Sequence, residues 1–186
     1  MNQATTPIVP IMPGTPPAVI GSSSGQQQYL TFSLGGELFA ISIISIREII
    51  ENSKITTIPL VPSFIRGVIN LRGAAVTVID LAVRFGKAAA AVTRRTCIVI
   101  IEITVPHLTV PQQMGIVVDA VSEVLEISAA DIEPPPAFGG RIRGDFISGM
   151  AKINGQFVVL LEVDRILSFD EVEGLAAIGQ NARFAD

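Results

Sequence analysis

The chain has 186 residues, 49% of them hydrophobic and 16% charged, and a formal net charge of −4. That length suits one compact unit or two small barrels sharing a core, and the negative charge argues against nucleic acid as the main ligand, because phosphate contacts need a basic face. A single cysteine excludes an intramolecular disulfide, no run approaches the ~20 apolar residues of a membrane span, and the N-terminus lacks a basic segment ahead of an apolar core, so a soluble cytoplasmic protein without membrane insertion is expected.

In chain order, residues 1–27 are rich in Pro, Thr, Ser, Gly and Gln and predict a disordered tail. Tyr29 to Leu34 alternates apolar and small polar residues, Gly35-Gly36 turns the chain, and Glu37 to Ser42 answers as the second strand of a hairpin. Ile43 to Ile50 continues as strand, with too many isoleucines for one buried face. Such a strand is either buried on both faces or displays one face to another protein. Ile55 to Pro59 predicts another short strand, and Pro62 can open one helical turn. Phe64 to Asp80 reads as a hairpin turning at Arg72-Gly73, followed by a short helix that Asp80 caps and Gly86 ends. Lys87 to Arg95 is a connector.

Thr96 to Ile103 is the most hydrophobic strand, and Val105 to Gln113, with two prolines, is a loop. Met114 to Leu125 continues as strand, and Pro134 to Gly144 is a second Pro/Gly loop. Phe146 to Leu161 forms a hairpin around Asn154-Gly155, and a helix is expected from Val163, resuming after Ser168 through Glu171, Val172, Leu175 and Ala176. Residues 179–186 should fray.

Two blocks recur in the same order. Ala40-Ile41-Ser42-Ile43 through Glu48-Ile49-Ile50-Glu51 returns as Gly115-Ile116-Val117-Val118 through Glu123-Val124-Leu125-Glu126, and the Phe64–Asp80 hairpin returns at Phe146–Glu162. Matched blocks in matched order indicate a duplicated unit. The copies differ at the hairpin tip. Asn154-Gly155 is what a two-residue turn with positive φ wants, whereas the first copy has Arg72, which would be strained there. Either that turn is of another type, or a long guanidinium is displayed there for a partner.

A search for chemistry finds none. His107 is the only histidine and lacks a second metal ligand in reach by spacing. Cys97 lies in an apolar strand as a small hydrophobe. Gly139 to Gly144 lacks the ending of a phosphate loop. Asp80 and Glu162 match each other in the repeat and read as helix caps, not as an acid pair. No enzyme, metal or cofactor is expected; a binding module is.

Phe64-Ile65-Arg66-Gly67-Val68-Ile69-Asn70-Leu71-Arg72-Gly73, with Val78-Ile79-Asp80-Leu81 and Arg84-Phe85-Gly86, resembles the hallmark of the CheW family of chemotaxis coupling proteins. Gly115 to Leu125 is similar to that family's second signature. The resemblance covers residues 29–170 and implies an all-β fold with short helices: two SH3-like five-stranded β-barrels, internally duplicated and partly interleaved around a shared core. The resulting division is a tail at 1–27, a CheW-like domain at 28–170 and a C-terminal helix or tail at 171–186. The implied role is a non-enzymatic adaptor joining a chemoreceptor's cytoplasmic tip to the regulatory domain of the histidine kinase CheA. Carried over by position, Arg72, Glu48, Val121 and Val124 match receptor-binding positions, and Leu30, Ile43 and Ile46 match kinase-binding positions. The competing readings are a small barrel that binds nucleic acid, a regulatory domain split from a larger signalling protein, and a small-ligand sensor. A negative chain with one Tyr and no Trp lacks the stacking platform that the first requires. No phosphorylatable receiver follows the repeats, which favours a stand-alone adaptor over the second. The third lacks a convergent polar set in the sequence.

Overall fold

Gly35 and Gly36, with φ of 58° and 80°, join β1 (Gln26–Leu34) to β2 (Glu37–Ser42). The computed structural model describes residues 25–89, 91–106, 108–135, 144–168, 170–174 and 177. Most of the predicted tail, His107, residues 136–143 of the second Pro/Gly loop, Leu175, Ala176 and the predicted fraying end lie outside the described residues. β1 starts earlier than the sequence suggests. Gln26 and Gln27, assigned to the tail, are held in register against Ser128 and Ile127.

The predicted strand from Ile43 to Ile50 is broken. The chain makes a 3-10 turn at Ile43–Ser45 and resumes as β3 (Ile46–Glu51) in a different sheet. The break accounts for the excess of isoleucine: Ile41 is buried in one sheet, Ile46 and Ile50 pack inward from the other, and Ile44 and Ile49 face outward. Thr56 forms only an isolated bridge with Val68 where a strand was expected, and the Pro62 carbonyl accepts the Ile65 N–H at 2.9 Å in a single turn. β4 (Ile65–Leu71) and β5 (Ala74–Asp80) lead into α1 (Leu81–Arg84), whose first turn is capped by the Asp80 carboxylate on the Val83 N–H at 3.2 Å.

The second half contributes β6 (Cys97–Ile103), β7 (Gln112–Val118), β8 (Ala120–Ser128), β9 (Ile132–Glu133), β10 (Ile147–Ile153) and β11 (Gln156–Leu161). The helix expected from Val163 comes in two pieces. A 3-10 turn covers Val163–Arg165, and the helical residues 170–174 follow. Ser168 and Glu171 cap the second piece reciprocally, the Ser168 N–H reaching Glu171 Oε2 at 2.7 Å and the Glu171 N–H reaching Ser168 Oγ at 3.4 Å. Glu162 holds the capping position ahead of the 3-10 turn, but its side chain makes no capping bond, unlike Asp80.

The strands exchange between halves. One sheet runs β8-β1-β2-β11-β10-β9 and the other β3-β6-β7-β5-β4. Each therefore joins the first two strands of one half to the later strands of the other. Each sheet has two joints between halves: the parallel pairings β2 with β11 and β5 with β7 are equivalent, as are the antiparallel pairings β1 with β8 and β3 with β6. Six strands instead of five arise because the short β9 occupies the place of the Thr56–Val68 bridge. Matching bulges recur at Ile65/Gly67 and Ile147/Gly149. At Gly67 (φ 141°) a Cβ would lie 2.1 Å from the Thr56 carbonyl oxygen, so only glycine lets the crossing backbone approach.

Three apolar clusters result. Ile69, Val76, Val78, Ile98, Ile100 and Val117 fill one barrel, and a group around Tyr29, Ile127, Val158 and Leu160 fills the other. The largest cluster lies between the sheets and draws on both, on α1 and on the C-terminal segment. Arg84 ties that last segment down. Its guanidinium stacks on Phe64 and Phe146, counterparts in the repeat, at 4.6 and 5.3 Å, donates to the Ile166 carbonyl at 3.0 Å and forms a bidentate pair with Glu171 at 3.0 and 2.8 Å. Both side chains are largely covered. Truncation leaves Glu171 without its cation and two rings without their cover, so Arg84→Ala should lower unfolding free energy by about 2–4 kcal/mol in urea titration. A loss under ~1 kcal/mol would mean that the C-terminal segment is not anchored this way.

Candidate functional site

The β4–β5 turn is not of another type than its duplicate. Arg72 and Gly73 have φ of 51° and 85°, against 51° and 79° for Asn154 and Gly155. The two tips are the same turn. Asn tolerates that backbone, whereas Arg has no advantage there and is strained. Asn70 Oδ1 accepts the Gly73 N–H at 2.9 Å and helps to hold the tip.

Arg72 reaches Glu48 in a bidentate pair at 2.9 and 3.0 Å. Glu48 sits on β3 and Arg72 at the β4–β5 tip, at opposite ends of the five-stranded order. Their contact shows that this sheet is rolled until its ends meet, with the ion pair across the seam. The Arg72 side chain remains 79% exposed and that of Glu48 23%. The pair thus keeps a preorganised guanidinium facing solvent while restricting its rotamers.

A bulge in β3 sets this up. Ile46 and Glu48 pair with Ile101 and Ile100, leaving Arg47 as the extra residue. Arg47 turns to Glu102, donating from Nε to Oε2 at 2.7 Å and making a second contact through Nη2. That hydrogen bond, more than the attraction of the charges, holds the Glu102 carboxyl below its usual range against a smaller opposing effect of desolvation. One bulge therefore presents two adjacent ion pairs.

The structure gathers Arg72 with Glu48 but places Val121 and Val124 elsewhere, on β8 at the end of the six-stranded sheet. Val121 packs against the shared core and Val124 is exposed. The kinase-side set needs correction. Leu30 is 4% exposed, inside the shared core, and pairs across from Val124, so it offers no contact surface and does not share a sheet with Ile46. Its assignment came from the resemblance; the face that Leu30 shares with Phe32 and Leu34 packs into the cluster between the sheets. Ile43 and Ile46 are partly buried against the same core. The exposed residues beside them are Ile44 and Ile49, which sequence reasoning passed over. A signal was present, since Ile49 is the repeat counterpart of Val124. Among the described residues no group of three or more His, Cys, Asp or Glu side chains could hold a metal, and no helix is long and apolar enough to cross a membrane.

The CheW-like domain family matches residues 28–171. The chain is 32% identical over 146 residues to "Chemotaxis protein CheW" of Klebsiella aerogenes, covering 78% of this chain and 84% of that protein. It is likewise 32% identical to the protein of the same name from Rhizobium meliloti, over 81% of this chain and 94% of the relative. Among solved structures it is similar to the scaffolding protein TtCheW of Thermoanaerobacter tengcongensis, with a TM-score of 0.69, 34% identity, and coverage of 78% and 90%.

Replacing Arg72 with the residue found at the other tip removes an exposed ion pair worth about 0–1 kcal/mol. It also relieves backbone strain of similar size. Arg72→Asn should therefore keep unfolding free energy within ~0.5 kcal/mol of wild type in urea titration. A loss above ~2 kcal/mol would make the pair a structural clamp instead of a displayed group.

Proposed function

Since the chain belongs to the CheW-like domain family of non-enzymatic chemotaxis scaffolds, we propose that it couples the cytoplasmic tips of chemoreceptors to the regulatory domain of the histidine kinase CheA. The observation that carries this reading is the Arg72 turn: a strained arginine held by Glu48 and facing solvent, where the duplicate tip has an unstrained Asn154. A side chain kept at a position that disfavours it points to recognition over stability. In this assignment Arg72 and Glu48 fix register on the receptor, and Val124, with Val121 behind it, adds apolar contact to an amphipathic receptor helix.

The kinase side is assigned to the rim of β3, where Ile44 and Ile49 are exposed and Ile43 and Ile46 support them from within. Exposed aliphatic side chains on an edge strand suit a partner with its own small barrel. Control of the kinase is then a coupling between two interfaces on one scaffold. In the cell the protein would sit in the cytoplasm, held at membrane receptor arrays through its partners.

Calorimetric titration of the purified chain against a receptor cytoplasmic fragment and the CheA regulatory domain tests this reading. Wild type should bind both. Arg72→Asn should weaken receptor binding about tenfold or more, a loss of ~1.4 kcal/mol, with kinase affinity unchanged. Ile44→Asp with Ile49→Asp should do the converse. These exposed positions are better targets than Ile43 and Ile46, where a charge would also disturb the core. If wild type binds neither partner, the barrel pair has kept its fold and serves another.

A further inference from the structure

The duplication supplies an internal reference for one carboxylate and the residue beside it. In the first half Asp80 is 2% exposed, and Arg66 on the neighbouring strand places Nη1 3.7 Å from its Oδ2. In the second half Glu162 stands where Asp80 does. Its N–H reaches the Phe146 carbonyl at 2.9 Å, as the Asp80 N–H reaches that of Phe64 at 2.7 Å. The residue matching Arg66, one before the bulge glycine, is Ser148. The carboxylate is thus retained and its cation is gone.

The space is a cleft of about 260 Å³, lined by Gln27, Tyr29, Ser42, Ser45, Ser148 and Glu162 among others. That is just below the ~300–1,000 Å³ of pockets for drug-sized ligands and suits one side-chain-sized group. Among the described residues Glu162 is the only carboxylate in the lining, and none of those lining residues is Lys or Arg. Among the described residues no hydrogen bond or ion pair occupies the Glu162 carboxylate or the hydroxyls of Ser42 and Ser45. Tyr29 donates to Gln27 Oε1 at 3.0 Å, and Ser148 Oγ donates to the Leu160 carbonyl at 3.3 Å. The lining therefore offers a carboxylate, free hydroxyl oxygens and a phenol ring, the partners of a planar donor-only cation.

We infer that this cleft binds a guanidinium group, carried by an arginine side chain or a small guanidino compound, which takes the place that Arg66 fills in the other half. The proximity of charge is felt at Tyr29, whose phenol is pushed up first by burial and then by the Glu162 carboxylate. A bound cation offsets the second effect and brings the phenol back down.

Tyr29 is the only tyrosine and the chain has no tryptophan, so tyrosine absorbance and fluorescence report on this cleft alone. The whole chain is titrated with methylguanidine, with the capped tripeptide acetyl-Gly-Arg-Gly-amide, and with potassium chloride at equal ionic strength. Saturable change with either guanidinium probe but not with the salt, and a lowered midpoint for tyrosinate formation, are expected. Glu162→Gln should weaken binding about tenfold or more, ~1.4 kcal/mol, and by itself lower the Tyr29 midpoint. Ser148→Arg supplies the missing group from within and should abolish the response. Equal affinity for both probes identifies the free group as sufficient, and at least tenfold preference for the tripeptide identifies a polypeptide source. A response no different from that of potassium chloride, or one unchanged in Glu162→Gln, overturns the inference. Neither outcome involves a receptor or kinase, so the adaptor reading stands or falls separately.

Discussion

Neither sheet can be completed by one half of the chain. β2 finds its neighbour in β11 and β5 finds its neighbour in β7, so the edges of each half are covered only by the other. Unpaired strand edges invite wrong pairing, and here the duplicate covers those of β2 and β5. The same exchange forces the largest apolar cluster to lie between the sheets instead of within either barrel. It also explains why a largely covered arginine sits where the two copies meet: Arg84 touches Phe64 from one copy and Phe146 from the other, then fastens the segment that follows. The two barrels are consequently one packed body, and a load applied to one surface is carried by contacts shared with the other.

Much of this was legible in the sequence. Each hairpin betrays itself through its turn residues, and the two ordered repeats require two like units. Asp80 reads correctly as a cap because a carboxylate before a short apolar helix has one local use. What failed was non-local. Leu30 was placed at an interface by resemblance alone, yet its face, shared with Phe32 and Leu34, packs into the cluster that both halves supply. The isoleucine run was read as one strand because nothing local marks the point where the chain changes sheet. The Arg72–Glu48 pair joins residues 24 apart that meet only when the sheet rolls. Periodicity describes one strand at a time, and the site is built across a seam.

Duplication with divergence also gives the molecule two unlike faces on matched backbones. Glu48 and Glu123 occupy equivalent strand positions, yet among the described residues only Glu48 has an arginine across the seam. Asp80 and Glu162 are likewise equivalent, and among the described residues only Asp80 has one beside it. An adaptor has to distinguish its partners, and changing side chains on a repeated frame achieves that without altering the packing that holds the frame together.

The Arg72 turn has a consequence for protein engineering. A redesign guided by stability alone would read that tip as a flaw, since its twin shows how little strain the same loop needs, and would install Asn or Gly. The redesigned molecule would melt no lower, yet it would have lost a feature visible only as disagreement between backbone and side chain. Among turns of this shape, the residue that fits worst is the one to leave alone.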